Sequence, residues 1–231
     1  MAARTLIVNA DDLGLSDPVN AGIAAAHERG IVTSASLMVS QAAAPAAADY
    51  AAAHPALAVG LHLDLGQWDY VNGEWMIAYE RCAADDEIAI EAECRAQLEA
   101  FRRLLGRDPT HLDSHQHVHM SEPVAAIAAR LAVELGRPLR GREIPYEGGF
   151  YGQTGKGEPV PEGIGVGNLI SIISSLPAGR TELGCHPGLA MREESSYGRE
   201  RETEVGTLCD PRVREALEHE GVELRSFADV A

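Results

Sequence analysis

The chain has 231 residues, 45% of them hydrophobic and 23% charged, with a formal net charge of −16 and a pI of about 4.9. That length and balance suit a single α/β domain with a full apolar core. The strong negative charge argues against naked nucleic acid or an anionic membrane surface as partner, and no apolar run has the length of a membrane span.

The start, MAARTLIVNADD, lacks the long apolar segment and cleavage site of an export signal, so the expectation is a cytoplasmic protein. Residues 5–10, TLIVNA, predict a short buried strand. Residues 16–30 predict a helix, with Ser16 as N-cap, Pro18 in the first turn, Val19, Ile23 and Ala26 at helical spacing, and Gly30 at the close. A second strand is expected over 33–40, a helix over 45–54 and a third strand over 56–65. The longest helix covers 85–106, followed by a fourth strand over 110–115 and a helix over 122–136. Residues 139–144 are a candidate strand, 167–177 a helix, 181–186 a strand, 211–221 a helix and 222–230 a final strand. Strand and helix alternate through nearly the whole chain, which predicts a mostly parallel sheet with crossover helices, closed or nearly closed into a barrel. Nothing cuts the chain in two, so residues 1–231 are read as one domain. Residues 145–167 form a long Gly- and Pro-rich loop, a length that favours a functional role. The four cysteines, Cys82, Cys94, Cys185 and Cys209, form no C-x-x-C pair and are expected as free thiols.

In parallel α/β folds ligands sit beyond the carboxyl ends of the strands. The first expected strand ends in Asp11 and Asp12, the third in His62 and Asp64, and a late one in His186. The fourth carries HLDSHQHVH, with His111, Asp113, His115, His117 and His119. In an extended strand His111, Asp113 and His115 share one face. Crowded imidazoles fill a core poorly, because each ring nitrogen needs a partner. Two imidazoles and a carboxylate from separate strand ends make a site for one divalent metal ion, with positions left for water and substrate. Zinc, manganese, cobalt, nickel and iron suit such donors; magnesium suits histidine less. One of the adjacent carboxylates would bind the metal while the other holds or deprotonates a water, and His186 would serve the leaving group from another strand. Each of these residues also has a plainer reading: a helix cap for the Asp pair, a hydrogen-bonded core ring for His62, a turn residue for His186. Trp68, Tyr70, Trp75, Tyr146, Phe150 and Tyr151 fall in segments after site-bearing strands or in the long loop, where aromatic faces can stack on sugar rings or pack the loops down. Arg140 and Arg142 near a strand end are candidate substrate contacts or surface ion pairs.

The blocks LIVNADDLGLS, GIVTSASLMV, VGLHLDL, GRDPTHLDSHQHVH and ELGCHPG resemble the signature segments of YdjC-like carbohydrate deacetylases, in the same order, from residue 5 to about residue 188. The resemblance implies a single-domain TIM-barrel-like (β/α) fold, distorted or incompletely closed. It implies a metal-dependent hydrolase that cleaves the linear amide of an N-acetylated amino sugar or a short chitooligosaccharide-like chain and releases acetate. It implies Asp12, His62 and His115 as metal ligands, Asp11 as the base and His186 as the acid. His111, Asp113, His117, His119, Arg142 and Trp68 would support these residues or touch substrate. Zinc or magnesium is the expected ion, with manganese, cobalt, nickel or iron as alternatives. A small carbohydrate is the expected partner, and a homodimer fits the family's habit. Leu13 stands where the family often has Phe, a departure that touches packing more than chemistry. Two other readings remain: hydrolysis of another amide or ester, and a non-catalytic metal- or sugar-binding module. A phosphoester would call for basic residues near the site, and the site-bearing segments have few.

Overall fold

The computed structural model describes residues 3–189 and 197–230. Its order is β1 (Arg4–Leu13), α1 (Asp17–Glu28), β2 (Ser34–Leu37), α2 (Ala44–Ala53), β3 (Ala58–Leu63), β4 (Gly66–Val71), β5 (Glu74–Glu80), α3 (Glu87–Leu105), β6 (Leu112–Ser114), α4 (Val124–Leu135), β7 (Tyr146–Glu147), α5 (Val166–Ser175), β8 (Gly179–Cys185), α6 (Gly198–Leu208), α7 (Pro211–Glu220) and β9 (Val222–Arg225). Ser16 caps α1, accepting from the Val19 amide, and Asp86 caps α3, accepting from the Ile88 and Ala89 amides at 3.0 Å.

Seven strands form one sheet in the order β6-β3-β2-β1-β8-β7, with β9 also paired to β1. Every pairing in it is parallel. The edges β6 and β7 do not pair with each other among the described residues, so the barrel stays open. Residues 139–144 are not the expected strand. Leu139 makes a single parallel bridge to Leu112, and a turn follows before β7. This stretch crosses the open side between the edge strands β6 and β7.

Alternation along the strands separates two environments. Leu6, Val8 and Ala10 of β1, Ala35 and Leu37 of β2, and Val59, Leu61 and Leu63 of β3 face the helices in the main apolar core. Ile7, Ala58, Ile144 and Phe227 form a small apolar plug on the other, concave side. Above that plug the concave side is polar: Asn9, Ser36, Asp113 and Glu182 are all buried there. The final strand ends at Arg225 rather than running to 230, and a 3-10 turn, Phe227–Asp229, brings Phe227 under the ring of His111 at 3.8 Å. Gly60 is required at this level, since a Cβ there would lie 2.4 Å from that same ring.

Four elements had no forecast: β4, β5, α6 and the two-residue β7 inside the expected loop. β4 and β5 form a separate antiparallel hairpin beside the mouth of the barrel. Asp64 anchors it, accepting from Tyr79 Oη at 2.9 Å and from Arg81 Nε at 2.8 Å. Helix α6 follows the undescribed residues 190–196 and packs against α1. No described helix is long and apolar enough to cross a membrane, and all four cysteines are free.

Candidate active site

The site forms where β1, β3, β6 and β8 end. Asp11 and Asp12 are consecutive in β1, so regular alternation would send them to opposite faces. The register slips there: Ala10 pairs with Ala35 but Leu13 with Leu37, so three steps along β1 match two along β2. Asp12 takes a left-handed backbone, φ +67°, a conformation that aspartate tolerates better than most residues. The slip lets both carboxylates reach the cavity.

Asp12 Oδ1 lies 3.0 Å from His115 Nδ1 and 3.4 Å from His62 Nε2. The three residues each offer a ligand atom within 4.8 Å of the others. His62 Nδ1 donates to Asp113 Oδ1 at 2.8 Å, and this leaves Nε2 as the nitrogen aimed at Asp12. At 3.4 Å that contact is too long for a good hydrogen bond. His115 Nε2 is buried without a hydrogen-bond partner. His115 Nδ1 is hydrogen-bonded to Asp12 Oδ1, and His62 Nε2 faces the same oxygen at longer range; a carboxylate oxygen and two imidazole nitrogens converging in this way fit a divalent cation, and Asp113 behind His62 is the usual carboxylate brace of a metal-binding histidine. A second group, Asp11, His62 and Asp113, is equally close, but Arg140 already stands between its carboxylates as counter-charge.

Arg140 is fully buried. It donates to Asp11 through Nη1 at 2.6 Å and Nη2 at 2.7 Å, and to Glu182 through Nε at 2.8 Å, and it lies 2.8 Å from Asp113 Oδ2. Burial pushes the Asp11 pKa up, but the Arg140 charge outweighs it and holds Asp11 below the usual carboxylate range. Asp12 lies well below that range for the same reason: burial raises it, and Arg201 and His115 more than reverse the effect. Burial raises the Glu182 carboxyl to about 7 despite Arg140. Burial disfavours charge on His62, yet Asp113 prevails and the ring is raised to about 10, so an ion entering the site would displace a proton there. His186 Nε2 is 3.7 Å from Asp11 Oδ2, and burial lowers its pKa to about 4 against the pull of Asp11 and Asp12.

These groups open into a cavity of about 520 Å³, walled by Trp68, Trp75, Tyr146, Tyr151, Tyr197 and other residues. His117 also lines it, 3.5 Å from Tyr146 Oη through Nε2. His111, His119 and Arg142 lie elsewhere. His111 is inside the barrel below the site, hydrogen-bonded to Ser36 and Thr110. The strand that follows it, β6, stops at Ser114, and His115 begins a 3-10 turn, so His115 does not continue the face of His111 and Asp113. His119 is buried against Ser114 Oγ at 2.6 Å and does not line the cavity. Arg142 is exposed on a turn, and its neighbour Arg140 is the inward-facing residue of the pair.

Residues 5–219 match the YdjC-like protein family. This chain belongs to the YdjC-like family. A carbohydrate deacetylase of Geobacillus stearothermophilus is 34% identical to it, over 98% of both chains. A chitooligosaccharide deacetylase of Salmonella paratyphi B is 33% identical, over 98% of this chain and 99% of the relative. A crystal structure from Enterococcus faecalis, provisionally described as a cellobiose-phosphate cleavage protein, superposes over 100% of both chains with a TM-score of 0.82 at 25% identity. The part of this YdjC-like chain that matches the family encloses every site residue described above.

Four site residues escaped the sequence reading: Glu182, Tyr197, Arg201 and Glu204. Glu182 had a signal, a lone carboxylate among the uncharged residues Thr181, Leu183, Gly184 and Cys185 of a buried strand end. The other three lie in or beside α6, in a charged stretch that reads as solvated surface.

Proposed function

We propose that this chain is a metal-dependent N-deacetylase acting on an acetylated amino sugar or short oligosaccharide and releasing acetate. The convergence of Asp12, His62 and His115 beside Asp11 and His186, at the floor of one aromatic-walled cavity, carries this reading. The names of the Geobacillus and Salmonella relatives support it. Asp12, His62 and His115 are the residues that would hold the ion, and a nitrogen-rich set favours zinc over magnesium. A divalent ion there supplies Lewis acidity to the acetamide carbonyl and makes a nearby water a better nucleophile.

The chain's own residues supply the rest. Asp11, kept ionised by Arg140, takes the proton of the attacking water. His186, neutral at rest and 3.7 Å from Asp11, relays a proton to the departing amine. Glu204 holds the His186 backbone by accepting its N–H at 2.5 Å. Trp68, Trp75 and Tyr151 offer ring faces to a sugar, and residues 145–167 act as the substrate-side loop by carrying Tyr146, Phe150 and Tyr151 to the cavity. The chain works as one catalytic unit, since β1, β3, β6, β8 and α6 all contribute. The net charge of −16 favours a neutral saccharide over nucleic acid or an anionic membrane as partner. Arg201 is the only arginine or lysine among the described cavity residues, and Asp12 engages it, which does not favour a phosphoester.

The test is acetate release from N-acetylated sugars, from monomer to short oligomers, with chelator and with added divalent ions. Release that chelation stops and metal restores is the expected result. No release from any member by metal-loaded protein would exclude the N-acetyl bond.

A further inference from the structure

The two oxygens of Asp12 are used differently. Oδ1 faces both imidazoles, at 3.0 Å from His115 and 3.4 Å from His62. Oδ2 is taken by Arg201 Nη2 at 2.5 Å. The same guanidinium donates through Nη1 to the backbone carbonyl of His186 at 3.2 Å. Three residues along α6, Glu204 accepts the His186 amide through Oε2 and the Tyr197 hydroxyl through Oε1, at 2.5 and 2.7 Å. One turn of helix therefore grips both the candidate metal carboxylate and the candidate acid.

A buried guanidinium is a poor neighbour for a cation, because the like charges repel and little water screens them. Simple tight binding of a metal would be better served by an apolar side chain here. The arrangement is explained if the occupied oxygen matters. A free carboxylate can chelate an ion through both oxygens and fill two coordination positions; with Oδ2 engaged, only Oδ1 remains.

We propose that Arg201 is a positioning residue that keeps Asp12 monodentate, leaving a coordination position open for water and substrate, and that locks this geometry to His186 through the backbone carbonyl. The inference rests on the reading of Asp12, His62 and His115 as metal ligands.

Zinc and cobalt(II) affinities of metal-free wild type, Arg201→Gln and Arg201→Lys, measured by competition with a chromogenic chelator, test it alongside turnover. Arg201→Gln is expected to bind the ion about tenfold tighter, since a like charge has been removed. Its turnover is expected to fall about 100-fold, the upper range for loss of a group that orients a metal ligand. Arg201→Lys keeps the charge, holds its Kd near that of wild type and recovers part of the turnover. A merely structural role would loosen the site, so weaker binding by Arg201→Gln overturns the proposal, as does undiminished turnover. X-ray absorption of cobalt-loaded wild type gives an answer that needs no variant to fold: a monodentate carboxylate supports the proposal and a bidentate one overturns it. If wild type binds neither ion, the metal site itself is wrong, an outcome distinct from any ranking of the variants.

Discussion

Asp11 pairs with Arg140 and Asp12 with Arg201, although the two aspartates are adjacent in one strand. The pairing sets different expectations for each. Asp11→Asn keeps the shape, removes the proposed base and leaves the three proposed ligands untouched. Turnover should fall by about 10²–10⁴-fold, the range for a lost general base, while bound metal measured by elemental analysis stays near the wild-type level. Unchanged turnover would remove Asp11 from the mechanism. Arg140→Met leaves Asp11, Asp113 and Glu182 buried together without their counter-charge. Breaking a buried ion pair from one side costs about 3–5 kcal/mol, so urea unfolding at neutral pH should show a loss of that order. Choosing Arg140 over Arg142 was beyond the sequence. Two arginines separated by one residue would share a face in a strand, but the stretch is a turn, where no period applies.

Helices and strands differ in how openly they were written. α1 and α3 carry side-chain caps and apolar spacing, and both appear where expected. The β4–β5 hairpin was missed because Val71, Trp75, Met76 and Ile77 are all exposed, which removes the alternation that marks a half-buried strand. α6 was missed because its buried residues include Arg201 and Glu204, polar groups that no apolar period reveals. The contact of α1 with the His186 turn makes a prediction of its own. Gly22 lies inside α1, where alanine is intrinsically better by about 1 kcal/mol. A Cβ there would sit 2.3 Å from Gly188 Cα, two residues beyond His186. Gly22→Ala should therefore lower both melting temperature and kcat instead of stabilising the helix. A more stable and fully active variant would show that this turn is not held as described.

The barrel interior is the least conventional part of the molecule, because polar groups fill most of it. Burial lowers the pKa of His111 to about 3 and of His119 to about 4, so both rings stay neutral when folded. In the unfolded chain they take up protons near 6.5. Below that value the unfolded state binds more protons, so this contribution is complete above pH 6.5 and is lost as pH falls toward 3. In urea unfolding of the wild type from about pH 6.5 to 5 this loss is a downward slope partly offset by Glu182, whose folded carboxyl, raised to about 7, takes up its proton before the unfolded one does. His111→Gln should flatten that slope even if it lowers stability at pH 7; an unchanged slope would assign the decline to other groups.

What the sequence determined alone was the local grammar: alternating strands and helices, and the strand ends at which Asp11, Asp12, His62 and His186 emerge. Those features depend on residues a few positions apart, so periodicity and caps encode them. The tertiary structure decided that the barrel stays open, that His111 lies under the site while His115 enters it, and that Arg140 and Arg201 are the cations of the centre. These depend on a register slip in β1, a turn that ends β6 early, and contacts between residues 129 and 189 positions apart. No local pattern carries such distances; only the curl of the sheet and the packing of α6 bring those groups together.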